Sequence, residues 1–182
     1  DPDFVNMSAA GRAAEIYTCI ACNQACLDHA FVKEMASCLV NPRACHETEL
    51  NYPPAAARKR VAVVGAGPAG LAAATVLAER GHAVQLFEAA GGIGGQFNLA
   101  KRIPGKEEFH ETLRYFGQRL ASLAIPVSLD TRVTPELLVA GRFDEVVLAT
   151  GVTPRSPGIP GQEHPRVLTY LDVLLHGKPV GR

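Results

Sequence analysis

Arg60-Val61-Ala62-Val63-Val64-Gly65-Ala66-Gly67-Pro68-Ala69-Gly70 is the stretch on which the reading of this sequence turns. Its first five residues form a valine-rich run ended by glycine, the texture of a strand buried on both faces of a sheet. The next six form GxGxxG, a weak signal on its own. Here it follows a strand and opens a helix: Pro68 suits a first helical position, Ala69 to Arg80 is rich in Ala and Leu, and Gly81 supplies the stop. Ala83 to Glu88 reads as a second strand whose acidic end stands 18 positions after Gly70, which completes a βαβ unit with a parallel sheet. Gly65 permits the tight turn, Gly67 lets a pyrophosphate approach the backbone, and Gly70 allows close packing of helix on strand. The helix N-terminus around Ala69 offers N–H groups and a positive dipole end to phosphate. Glu88 is expected to accept hydrogen bonds from a ribose diol and to repel a 2′-phosphate, so the site is expected to take FAD, NAD or ADP rather than NADP. A glycine-rich turn that binds nothing is the bland alternative.

Two features further along lean toward FAD. Gly91-Gly92-Ile93-Gly94-Gly95-Gln96 gives a backbone that a long ligand can approach closely, with the Gln96 amide beside it. Ala149-Thr150-Gly151 ends a later strand at the carboxyl edge of the sheet, where ligands of such folds bind. An empty loop and a plain turn are their structural alternatives. Phe109, Leu113, Phe116, Leu120 and Leu123 recur at helical spacing and predict an amphipathic helix over about 106–123. Val127 to Val133 reads as a strand, Pro135 to Ala140 as a helical turn, Glu145 to Ala149 as a further buried strand, and Leu168 to Leu175 as a short helix after a proline-rich loop.

Upstream the texture changes. All five cysteines lie before the Tyr52-Pro53-Pro54-Ala55-Ala56-Ala57 linker, and four of them have the spacing CxxCxxxC followed, after eleven residues, by one more: Cys19, Cys22, Cys26 and Cys38. Three thiolates in a tight loop and one at a distance match the way [4Fe-4S] clusters are held. Structural zinc usually uses two short pairs separated by a longer insert, and a redox-active Cys19/Cys22 dithiol is a further alternative. Cys45 reads as an ordinary free thiol.

The chain has 182 residues, 47% hydrophobic and 20% charged, with Lys+Arg and Asp+Glu equal at 18 each. That balance argues against a nucleic-acid surface, a polybasic membrane anchor or disorder. No apolar run approaches the roughly 18 residues of a membrane span. The start, Asp1-Pro2-Asp3-Phe4, lacks an initiator Met and an apolar leader. The expectation is a cytoplasmic piece of something longer, with reduced thiols.

A four-cysteine cluster directly before an FAD-type fingerprint resembles the iron–sulfur flavoprotein family of bacterial NADPH-dependent 2,4-dienoyl-CoA reductases, which includes trimethylamine and histamine dehydrogenases. Its most specific stretches here are Cys19 to Asp28, Ser37 to Arg43, the turn at Gly65, Gly94 to Lys101 and Ile103 to Phe109. The resemblance implies residues 1–52 as the end of an FMN-binding barrel plus the [4Fe-4S] segment, 53–165 as the first part of an FAD domain, and 166–182 as a connector toward an NADPH domain. It makes Cys19, Cys22, Cys26 and Cys38 the cluster ligands and turns the Gln24 amide toward FMN. It assigns to FAD the turn around Ala69, Glu88, Gln96, Lys106 and the backbone of Val133. The implied function is electron relay from NADPH through FAD and the cluster to FMN, which reduces a small-molecule enoyl thioester. The barrel's acid/base residues, the main FMN site and the NADPH site would lie outside this chain, and the partners would be those regions of the same protein. In the amine dehydrogenase branch electrons would flow the other way, from substrate to an external acceptor. A zinc-stabilised nucleotide-binding module is the reading from a different class. Ala21 departs from the family, where glycine is common.

Overall fold

The structure, a computed structural model, describes residues 2–181. Its strands are β1 (Arg60–Val64), β2 (Ala83–Phe87), β3 (Val127–Ser128) and β4 (Glu145–Leu148). Its helices are α1 (Phe4–Ala9), α2 (Leu27–Phe31), α3 (Pro68–Glu79), α4 (Phe97–Ala100), α5 (Phe109–Ser122), α6 (Pro135–Gly141) and α7 (Tyr170–Leu174), with one 3-10 turn at Ala13–Glu15. The four strands form one parallel sheet in the order β3-β2-β1-β4.

The quoted stretch forms the centre. Val61, Ala62 and Val63 are buried because β1 has a neighbour on both sides. The β1–β2 register pairs Val61 with Val84 and Val63 with Leu86, which puts all four on one face. Leu71 and Ala74 of α3, Phe116 and Leu120 of α5, and Ile125 close over that face to make the core. Of the stripe expected on α5, Phe116 and Leu120 are buried and Leu113 and Leu123 pack at the core's margins, while Phe109 is half-buried and stacks on Phe97 instead. α3 starts at Pro68 with Gly67 as its extended N-cap, and its end is marked by Gly81 at φ +93°. On the opposite face of the sheet, Phe87 meets Phe143 edge-on with ring centroids 6.0 Å apart.

Two expectations change. The strand expected over 127–133 pairs only at Val127–Ser128, because Asp130 turns left-handed at φ +49°. Backbone contact continues beyond it through the N–H groups of Asp130 and Thr131, which donate to Ala90 O and Glu88 O. β4 is not a buried strand. It is the sheet's edge, with Leu148 72% and Val146 41% exposed. Among the described residues no helix is long and apolar enough to cross a membrane.

Candidate functional site

The site begins where β1 meets α3. A Cβ at Gly65 would lie 2.3 Å from Ala149 O, and one at Gly70 would lie 1.8 Å from Gly65 O, so only glycine fits either position. Gly67 is different: a Cβ there would meet nothing within 4 Å, and the space beside it is open. α3 has no side-chain cap, which leaves the amides of its first turn, Ala69 and Gly70 included, facing that space. A cradle with free N–H groups and no side chain in the way fits a dinucleotide phosphate.

Glu88, at the carboxyl end of β2, grips the turn from beneath. Its Oε2 accepts from Ala66 N–H at 2.7 Å and its Oε1 from Ala90 N–H at 2.9 Å. Each carboxylate oxygen keeps a further lone pair for a ribose hydroxyl, so the expected role and the observed structural one are compatible. The 91–96 loop sits on the same turn: Gly94 N–H donates to Ala66 O at 2.7 Å, and a Cβ on Gly95 would come 3.2 Å from Gly67 Cα. Gln96 ties this loop to the end of β4. Its Nε2 donates to Val152 O at 2.5 Å, and its Oε1 accepts from Tyr170 Oη at 3.3 Å. Thr150 and Gly151 are exposed beside that tie, with Gly151 at φ +77°. Val133 is half-buried in the irregular segment just past β3.

Around the cysteines the backbone is unusual. Ala21 and Asn23 take φ +53° and +58°, and Ala21 N–H donates to Cys19 Sγ at 3.4 Å. Left-handed residues between cysteines coil the loop tightly. Ser37 N–H donates to Ala25 O at 2.6 Å, which returns the chain so that Cys38 follows beside the loop. All five cysteines are free thiols, Cys22 and Cys38 half-buried and the others exposed. Among the described residues no three His, Cys, Asp or Glu side chains converge as ligands of one metal ion. A cubane asks for something else, one thiolate on each of four irons, and the coiled loop with its N–H···S bond suits that donor set.

The two halves of the site share a cavity of about 470 Å³. Cys22 and Gln24 enter it from the cysteine loop, Pro68 and Ala72 from α3, and Lys106 and Phe109 from the segment that opens α5. Phe109 stacks on Phe97 at 4.8 Å, with Lys106 Nζ 5.1 Å from the Phe109 centroid. Thr112 also lines the cavity. It is 3% exposed, and its hydroxyl has no partner among the described residues. Sequence reasoning passed over Thr112, although a polar residue inside the apolar stripe of α5 was a signal. Tyr17 was missed as well. It stacks face to face on Tyr115 with centroids 3.8 Å apart, and burial, then Tyr115 and Cys38, raise its phenol above the ordinary value, so it keeps its proton.

A glycine cradle on an uncapped helix, an acidic end on the next strand and a parallel sheet behind them define a dinucleotide-binding domain. The profile of the pyridine nucleotide-disulphide oxidoreductase family matches residues 59–176, and the chain belongs to that family. The metal reductase of Desulforamulus reducens is 38% identical over 186 residues, which is 100% of this chain and 28% of the relative. Among solved structures, a 2-naphthoyl-CoA reductase in complex with 2-naphthoyl-CoA superposes with a TM-score of 0.93 at 37% identity, over 100% of this chain and 28% of that one. Histamine dehydrogenase from Rhizobium sp. 4-9 gives 0.85 at 27% identity, over 98% of this chain and 28% of that one. The chain thus spans little more than a quarter of each of these proteins. They are oxidoreductases, and the resemblance drawn from the motifs holds.

Proposed function

We propose that this chain is the electron-transfer segment of a reductase of the dienoyl-CoA reductase kind. It holds FAD on the turn at Gly65, Gly67 and Gly70 and a [4Fe-4S] cluster on Cys19, Cys22, Cys26 and Cys38. It serves transfer from NADPH to an FMN site formed by parts of the protein outside this chain, where an enoyl thioester is reduced. The observation that carries this reading is the shared cavity: Cys22 and Gln24 open onto the same space as Pro68 at the head of α3 and Lys106. When bound, a flavin exchanges electrons in pairs or singly and an iron–sulfur cluster exchanges them singly, which lets a two-electron donor serve a one-electron carrier.

The chain's own residues position and insulate. The α3 amides take the pyrophosphate, Glu88 takes the ribose diol, and Gln96 and Lys106 supply polar contacts along the ligand. The Ala21 amide donates to Cys19 Sγ, and Ile20, 6% exposed, helps keep water from the cysteine loop. The 37% identity to the 2-naphthoyl-CoA reductase supports the reductive direction, and the amine dehydrogenase direction stays the alternative, with N,N-dimethylglycine/sarcosine dehydrogenase 35% identical. The division at residues 52 and 165 and a cytoplasmic setting belong to the same proposal.

The test is an anaerobic absorption spectrum before and after dithionite, with iron, sulfide and zinc assayed on the same sample. A broad band that bleaches, with about four irons and four sulfides per chain, is the expected result. A colourless protein that stays colourless after reconstitution with iron and sulfide, and carries zinc, overturns the cluster and leaves the zinc module.

A further inference from the structure

We infer that Arg114 is a positioning residue that fastens the cysteine loop to the dinucleotide-binding domain and thereby fixes the geometry between the two cofactor sites. This rests on the proposed electron-transfer reading. Arg114 lies mid-helix on α5, and its guanidinium reaches across to the strand of chain that enters the cysteine loop. Its Nη1 donates to Ala14 O, and its Nη2 donates to Ile16 O at 2.9 Å and to Thr18 Oγ1 at 3.4 Å. Its Nε donates to Glu111 Oε2 at 2.6 Å, and Thr18 Oγ1 donates to that same carboxylate oxygen at 3.4 Å. The fork therefore holds three residues from 14 to 18, and the last of them is bonded directly to Cys19.

Apolar anchoring of this segment is sparse. Ile20 is the only buried apolar residue before β1 among the described residues. Beside the fork, Tyr17 stacks on Tyr115, the residue after Arg114. The stack, with the edge contact of Tyr17 on Phe116 at 5.8 Å, sets the spacing of the segment from α5 at one residue, but fixes neither the chain before Tyr17 nor the carbonyls on either side of it. A planar guanidinium that bonds several carbonyls at once fixes them, which a lysine ammonium, a compact point charge, does not. α5 also carries Thr112, which lines the cavity between Cys22 and Lys106. One rigid helix thus touches both halves of the site.

The experiment uses the intact protein with its cofactors, comparing wild type, Arg114→Lys and Arg114→Ala. Amide hydrogen exchange is read over residues 16–26, and flavin-to-cluster electron transfer is followed after rapid reduction under anaerobic conditions. Fastening predicts faster exchange over 16–26 in both variants, with exchange in β1 and β2 unchanged. It also predicts slower internal transfer in both variants, with iron content retained. Rescue of both readouts by Arg114→Lys would reduce Arg114 to a charge on α5 and overturn the inference, as would unchanged exchange in Arg114→Ala. Should Arg114→Ala fail to fold, Thr18→Val, which removes one strut of the fork and keeps the shape, is predicted to raise exchange over the same residues to a smaller degree. No rise in that variant also counts against the fastener. The exchange readout stands even where the metal assay finds zinc, so failure of the inference and failure of the electron-transfer reading are separable.

Discussion

The cysteine half and the sheet half of this molecule are held by different physics. From Val61 to Ile125 the chain buries a continuous apolar core between one sheet face and two helices. Before β1, Ile20 alone among the described residues is buried and apolar, while Phe31 and Val32 stand 82% and 64% exposed. A segment of some fifty residues with so little core does not fold by burial alone, and small units of this kind lean on metals or on a neighbour. The sheet half is expected to be stable by itself, whereas the cysteine half is expected to depend on the proposed cluster and on its attachment to α5.

The sharpest way to break that contrast is to remove the proposed cluster by chelation under oxidising conditions. Hydrogen exchange over residues 16–45 should then rise to that of an open chain, while β1, β2 and α3 keep their protection, because metal binding and folding are coupled where the core is thin. Equal loss in both halves would show that the sheet is not autonomous. Gly70→Ala attacks the other half. Its new Cβ would collide with the backbone of Gly65, a contact that no side-chain rotation relieves. A cost of about 3 kcal/mol in chemical denaturation and loss of flavin retention are expected, with iron content unchanged.

Ala21→Gly tests the cysteine loop in the stabilising direction. Ala21 sits at φ +53°, a conformation that strains an L-residue and suits glycine. After subtraction of glycine's greater unfolded-state entropy, a net gain of about 0.5 kcal/mol is expected, seen as roughly twofold slower iron loss to a chelator. The smallest effect concerns α7. Lys178, and then the hydroxyl and N–H of Thr169, hold the Asp172 carboxyl well below the usual carboxylate range. Because the folded value is depressed, its contribution is whole above the unfolded value near about 4 and fades as pH falls through the folded one. Amide protection of residues 170–174 should therefore be flat from neutral pH down to about pH 4, and Asp172→Asn should lower it at pH 7.

How much could be read in advance follows from the range of each interaction. β1, α3, β2 and α5 were legible because each has a strong local period or terminator: the valine run, Pro68 and Gly81, and the stripe from Phe109 to Leu123. Gly65 and Gly70 were legible in the turn, since their demands are steric and local. β4 was misjudged as buried because a strand's place in the sheet is decided by other strands, and an apolar run such as Glu145–Leu148 carries no mark of being at an edge. β3 was overextended because nothing in the sequence announces that Asp130 turns left-handed. α2 and α4 are five and four residues long, too short to show a period. The Arg114 fork joins residues nearly a hundred positions apart, and such a contact leaves no trace in either local stretch.

Glu88 holds the amide of Ala66 at 2.7 Å, and Gly94 holds the carbonyl of the same residue. Both backbone groups of the residue at the heart of the turn are thus committed before any nucleotide arrives. Association therefore has little loop entropy left to lose there, and the affinity of the cradle reflects the ligand's own contacts more than the ordering of its host.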